Sequence, residues 1–100
     1  VFMSKNDDVI ILSKNFSELL KQSIHEKEHL SIIGDEAYLF YSTHMNILDG
    51  SDFGEVLKIL SGMEFEPDLF SYKILEDLVN NLSTYNSKEI KSFIIKYKPN

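Results

Sequence analysis

Residues 1–12 have the sequence VFMSKNDDVIIL, and this stretch decides which fold class the sequence predicts. Two apolar runs, at residues 1–3 and 8–12, flank the polar connector 4–7, and the second run is rich in β-branched residues. β-Branched residues favour strands, and a short polar connector between two such runs is typical of a hairpin. The N-terminus is therefore predicted to form a β-hairpin.

After the hairpin, apolar residues recur at helical intervals. The expected helices cover about 14–29, 35–48, 52–61, 67–82 and 86–98. The second range is ambiguous, because the aromatic run at 37–41 also suits a strand. Asp52 and Asn86 are each followed three residues later by a glutamate, which is the spacing of a capping box. Gly62 and Pro99 stand where the third and last helices are expected to end.

The predicted fold is α+β and mainly helical, with an N-terminal β-hairpin packed on four or five amphipathic helices. A chain of 100 residues that is 43% hydrophobic suffices for one domain, residues 1–100, with its own core. The residues expected in that core are Phe70, Ile74, Leu78, Phe93 and Ile94.

The amino-acid composition indicates a cellular compartment and excludes several kinds of chemical site. The chain contains no cysteine, which removes disulfides, thiol catalysis and thiolate metal sites. Its apolar runs, including those at 9–12 and 93–95, are all too short to span a bilayer, and no secretory leader is visible. We therefore expect a cytoplasmic protein with no membrane association.

The net charge of −6 is concentrated in one part of the chain. Residues 49–77 contain eight acidic residues but only Lys58 and Lys73, whereas residues 86–100 contain four lysines and one glutamate. An acidic surface repels phosphates and attracts basic protein surfaces. The chain also lacks arginine, the side chain best suited to phosphate and guanine contacts, so nucleic-acid binding is disfavoured. A solvated face that aids solubility is the alternative explanation.

The segment HEKEH at residues 25–29 matches the H-E-x-x-H pattern of zinc peptidases. On one helix, His25 and His29 would share a face that holds zinc, with Glu26 as general base. However, Lys27 and Glu28 are charged where such peptidases usually have uncharged residues, and no third ligand is marked by the sequence. An exposed helix end is the favoured interpretation, and no functional metal or cofactor is expected.

Residues 1–22 resemble the closing segment of SMI1/KNR4-type (SUKH) domains, in which a strand pair precedes a Ser-x-x-Phe-x-x-Phe/Leu-Leu helix. Here the apolar runs 1–3 and 8–12 correspond to the strands, and Ser13, Phe16, Leu19 and Leu20 correspond to the helix motif. Such domains have a long N-terminal part that this chain lacks. Residues 30–100 of this chain, in turn, have no counterpart in such domains. The resemblance implies a family dominated by bacterial immunity proteins, which neutralise polymorphic toxins by binding them.

The charge distribution and the family resemblance together predict a non-enzymatic function. We expect a small acidic immunity or inhibitor protein that binds and neutralises a basic, nuclease-type toxin domain. The alternatives are a non-enzymatic adaptor or subunit of a larger assembly, and a small zinc metallopeptidase acting through His25 and His29. The residues expected to contact the basic partner lie in the acidic segment: Asp49, Asp52, Glu55, Glu64, Phe65, Glu66, Asp68 and Tyr72.

Overall fold

The computed structural model describes residues 5–98, and all regular secondary structure in that range is helical. The α-helices are α1 Lys5–His25, α2 Leu30–Thr43, α3 Met45–Leu48, α4 Asp52–Ser61, α5 Tyr72–Ser83 and α6 Ser87–Tyr97. Two 3-10 turns, Gly62–Glu64 and Pro67–Leu69, connect α4 to α5. No helix within residues 5–98 combines the length and apolar character needed to cross a membrane.

The predicted α+β class is wrong, because residues 8–12, the second predicted strand, belong to α1. The first predicted strand, residues 1–3, lies outside the described residues. Val9, Phe16 and Leu20 follow helical spacing and are all buried, while Asp7 and Asp8 occupy the first turn, where acidic residues stabilise a helix. Burial of this helical face against the rest of the bundle outweighs the local β propensity, which depends strongly on context. The fold is a small helical bundle.

The local end signals placed α4 and α6 correctly. Asn86 caps α6, since its side-chain oxygen accepts a hydrogen bond from the Glu89 amide at 3.2 Å. α4 begins at Asp52 and ends before Gly62, but its cap is Ser51, whose Oγ accepts from the Gly54 amide at 2.9 Å. Capping residues of this type satisfy amides that the helix leaves unpaired, so they mark helix starts within one residue.

The predicted helix 67–82 is divided in two. Pro67 opens a 3-10 turn, Phe70 is extended, and α5 starts after Ser71, whose Oγ accepts from the Ile74 amide at 3.2 Å. The interruption turns the Phe70 side chain into the core, where it is 9% exposed. The ambiguous range 35–48 is helical, but α2 already begins at Leu30 and a break at His44 separates it from α3.

The core is built by pairs of helices. α1 packs mainly on α5, where the buried Ser13 donates a hydrogen bond to the Leu82 carbonyl at 2.9 Å. α2 packs on α4 and on the turn Gly62–Glu64, and α6 also packs on α4. Among the predicted core residues, Phe70 and Leu78 are buried, whereas Ile74, Phe93 and Ile94 are partly buried and pack against the core.

Candidate functional site

The acidic residues of segment 49–77 lie at the two ends of α4 and, for Glu76 and Asp77, on α5. Asp49, Asp52 and Glu55 lie at the N-terminal end of this helix, and Glu64, Glu66 and Asp68 follow its C-terminal end. Ten helical residues span about 15 Å. The predicted contact residues therefore form two groups and not one continuous surface.

The acids at the N-terminal end of α4 have partners within the molecule. Asp49 accepts a hydrogen bond from the Tyr41 hydroxyl at 3.3 Å. The Lys91 ammonium lies 3.7 Å from an Asp52 oxygen, and the Lys58 ammonium lies 3.4 Å from a Glu55 oxygen. These two ion pairs are exposed and stabilise the fold by little, but each places a lysine charge beside a carboxylate. This end of α4 is thus less attractive to a basic partner than its sequence indicates.

The residues after α4 form what we name the acidic turn, residues 62–70. Glu64, Glu66 and Asp68 are exposed, and none of them takes part in the ion pairs found among residues 5–98. Two apolar side chains beside these acids are largely exposed, Phe65 between Glu64 and Glu66 at 81% and Leu69 after Asp68 at 62%. Exposed apolar patches rimmed by polar residues are typical of surfaces that bind other proteins.

The backbone of the acidic turn is held at both ends. Met63 is fully buried and Phe70 is 9% exposed, so the segment is anchored in the core on either side of its exposed centre. The amides of Phe65 and Glu66 both donate to the Gly62 carbonyl, at 3.1 and 2.9 Å. The exposed side chains are therefore presented on a hydrogen-bonded scaffold, which lowers the entropy lost when a partner binds.

Tyr72 belongs to the same end of the molecule as the acidic turn. Its ring is half-buried, and its hydroxyl donates a hydrogen bond to the Glu28 carbonyl. Together with Asp68, Phe70 and His29 it lines a depression of about 350 Å³ beside the turn. Five of the eight predicted contact residues are thus brought together here: Glu64, Phe65, Glu66, Asp68 and Tyr72.

The H-E-x-x-H segment does not lie on one helix. His25 is the last residue of α1, Lys27 has a left-handed backbone with φ 53°, and His29 caps α2 by accepting from the Ser31 amide. The two imidazoles therefore lack the shared helical face that the zinc-peptidase arrangement needs. Within residues 5–98, no three His, Asp or Glu side chains are grouped closely enough to hold a metal ion.

A second feature, which the sequence interpretation missed, is a groove of about 550 Å³ between α1 and α2. We name it the α1–α2 groove. Its lining is mostly apolar, including Phe16, Leu19 and Leu39, and it also contains Glu28 and Glu36. The available signal was Glu36 itself, which falls between Ile33 and Phe40 on the apolar face of the helix.

The Glu36 carboxyl is in an unusual electrostatic environment. Burial against the groove, the adjacent Glu28 carboxyl and the charge of Asp35 raise the pKa of Glu36 to about 7, although a hydrogen bond from Ser23 opposes the increase. The Ser23 hydroxyl donates to Glu36 Oε2 at 3.0 Å. Glu28 lies close enough to hydrogen-bond the protonated form, so two carboxyls share one end of the groove.

The raised pKa of Glu36 predicts a pH-dependent loss of stability. The pKa of Glu36 is near 4.5 in an unfolded chain and about 7 in the folded protein. The free energy of unfolding therefore includes the full contribution of protonated Glu36 below about pH 4.5, and this contribution is lost as the pH rises through about 7. Because Glu36 keeps solvent contact, the expected loss is only about 1 kcal/mol. Urea unfolding at about pH 5 and about pH 8 measures it against Glu36→Gln, which cannot ionise. An equal pH trend in both proteins would contradict the assignment.

Comparison of the chain with protein-family models, with curated proteins and with solved structures finds no match.

Proposed function

We propose that this protein binds a basic protein partner through the acidic turn, as a small immunity or inhibitor protein that neutralises a nuclease-type toxin. The observation that carries the proposal is Phe65, which is 81% exposed and stands between Glu64 and Glu66 on an anchored turn. Residues 8–12, which the SUKH resemblance takes as a strand, are helical. Support for the proposal therefore comes from the charge and shape of the acidic turn.

The proposed interface combines two effects. The carboxylates of Glu64, Glu66 and Asp68 attract a basic surface and speed association. Phe65 and Leu69 then supply apolar contact area, and an aromatic residue at the centre of a charged patch is typical of a binding hot spot. A nuclease binds the phosphates of its substrate with lysine and arginine. An acidic turn that occupies the same basic surface excludes the substrate by charge and by volume.

The test replaces Glu64, Glu66 and Asp68 together by lysine. All three are exposed, so the fold is expected to persist. Association with the partner is expected to slow by about 10- to 100-fold at low salt, and its salt dependence is expected to weaken. The partner is sought among the products of neighbouring genes, and association rates are measured by surface plasmon resonance over a range of salt concentrations.

A matched control separates a specific surface from net charge. Replacing Glu18, Glu26 and Glu76 by lysine changes the net charge equally, and all three are exposed on α1, on the turn after it or on α5. This control is expected to retain most of the association rate. Equal slowing by both triple variants would show that only the overall charge matters. Unchanged binding by the acidic-turn variant would contradict the proposed interface.

A further inference from the structure

The α1–α2 groove is open because α1 and α2 each pack mainly on other helices and only partly on each other. α1 packs mostly on α5, and α2 packs mostly on α4 and on the turn that follows it. The two helices meet at the floor of the groove, where the Phe16 and Phe40 ring centroids lie 5.2 Å apart. Above this contact Leu19 and Leu39 remain 54% and 55% exposed. An apolar surface of this kind is a candidate interface.

The length of the groove suits a short helix. On α1 its lining runs from Phe16 to Ser23, and on α2 it runs from Ile33 to Thr43. These spans correspond to about two helical turns on α1 and about three on α2, or about 10 and 15 Å. A partner helix that presents apolar residues one and two turns apart would cover both exposed leucines.

The charge of the groove selects the chemistry of its occupant. Glu28 and Glu36 place two carboxyls at one end, and no lysine is among the described residues that line it. Two adjacent carboxylates repel each other, and here the proton that Glu36 retains through its raised pKa relieves the repulsion. A lysine or arginine of the occupant takes the place of this proton and forms charge-assisted hydrogen bonds with both carboxylates, which an apolar occupant cannot do.

We propose that the α1–α2 groove binds a short amphipathic helix of a partner protein, whose apolar face covers Leu19 and Leu39 and whose basic residue inserts between Glu28 and Glu36. This site is independent of the acidic turn. Gly34, which contacts the acidic turn, and Glu36, which lines the groove, point to nearly opposite sides of α2 because successive helical residues are rotated by about 100°. One partner that wraps around α2, or two separate partners, can therefore use both surfaces.

The probe for this proposal is a synthetic helical peptide of about 15 residues, built on alanine and glutamine. It carries leucines at helical positions i, i+4 and i+7 and one lysine on the same face. A matched peptide has methionine in place of the lysine, which keeps the apolar surface and removes the charge. Binding is measured by isothermal titration calorimetry, and its location is measured by NMR chemical-shift changes.

The lysine peptide is expected to bind wild-type protein about tenfold or more tightly than the methionine peptide, because a charge-assisted hydrogen bond is formed. The two peptides are expected to bind equally to the double variant Glu28→Gln/Glu36→Gln, which keeps the size of both side chains. Leu39→Ser is expected to weaken both peptides, because its change affects the apolar contact alone.

Proton release provides a readout that a nonspecific contact would not give. A cation beside Glu36 lowers the pKa of this group from about 7, so binding of the lysine peptide near neutral pH is expected to release a proton. The groups facing Glu36 that influence this titration are Glu28, Asp35 and the Ser23 hydroxyl. Calorimetry in two buffers of different ionisation enthalpy measures the release, and Glu36→Gln is expected to abolish it.

Three outcomes would overturn the proposal. The first is equal binding of both peptides to wild-type protein, and the second is the absence of binding by either peptide up to about 1 mM. The third is self-association in light scattering that Leu39→Ser reverses, since this would assign the groove to a second copy of the chain.

Discussion

Phe53→Ala is expected to destabilise the protein by about 3–5 kcal/mol, a large share of the roughly 5–15 kcal/mol typical of a domain of this size. Phe53 is fully buried on α4, and its ring centroid lies 5.9 Å from that of Phe16 and 6.1 Å from that of Phe40. Removing the ring leaves a cavity where α1, α2 and α4 meet. The melting temperature is therefore expected to fall by about 15 °C or more.

Phe65→Ala is the matched control, because it removes the same ring from a position that is 81% exposed. It is expected to change the free energy of unfolding by less than about 0.5 kcal/mol. The same variant is expected to increase dissociation of the basic partner, since Phe65 is the proposed anchor of the acidic turn. Equal destabilisation by the two substitutions would contradict the arrangement of the core.

Gly34→Ala is expected to destabilise the protein by about 2–3 kcal/mol, although alanine is normally favoured over glycine within a helix. A Cβ atom at position 34 would lie 2.7 Å from the Glu64 amide nitrogen and 3.1 Å from the Leu60 carbonyl oxygen. Both are backbone atoms, so α2 and the acidic turn would have to separate. Chemical denaturation measures the loss, and the association rate with the basic partner is expected to fall as the turn moves.

Gly62→Ala provides the corresponding control at the start of the acidic turn. No atom beyond the neighbouring backbone lies within 4 Å of a Cβ built there, and the backbone has φ −63°, which alanine adopts without strain. This substitution is expected to leave stability unchanged or to increase it by about 0.4–1 kcal/mol. Wild-type stability in Gly34→Ala would show that α2 does not approach the turn this closely.

The two candidate surfaces have different origins in the fold. The acidic turn is presented by an interruption between α4 and α5 and is fixed by the buried Met63 and Phe70. The α1–α2 groove exists because α1 and α2 pack mainly on other helices. Substitutions in the acidic turn are therefore expected to leave binding of the helical peptide to the groove unchanged, which allows the two proposals to be tested separately.

The sequence alone determined the features that depend on neighbouring residues. The starts of α4 and α6 were placed within one residue, because capping side chains such as Ser51 and Asn86 act on amides within one helical turn. The concentration of acidic residues at 49–77 and the position of Phe65 among them were visible for the same reason.

Only the tertiary structure decided the rest. β-Branched residues at 9–11 favour a strand locally, yet they are helical because Val9 is buried on the same face as Phe16 and Leu20. Residues distant in sequence also determine which charges meet. Lys91 on α6 approaches Asp52 on α4, and the connection between α1 and α2 brings Glu28 beside Glu36. Local propensities are small compared with the free energy of burying a helical face, so packing between helices selects both the fold and the surfaces that remain exposed.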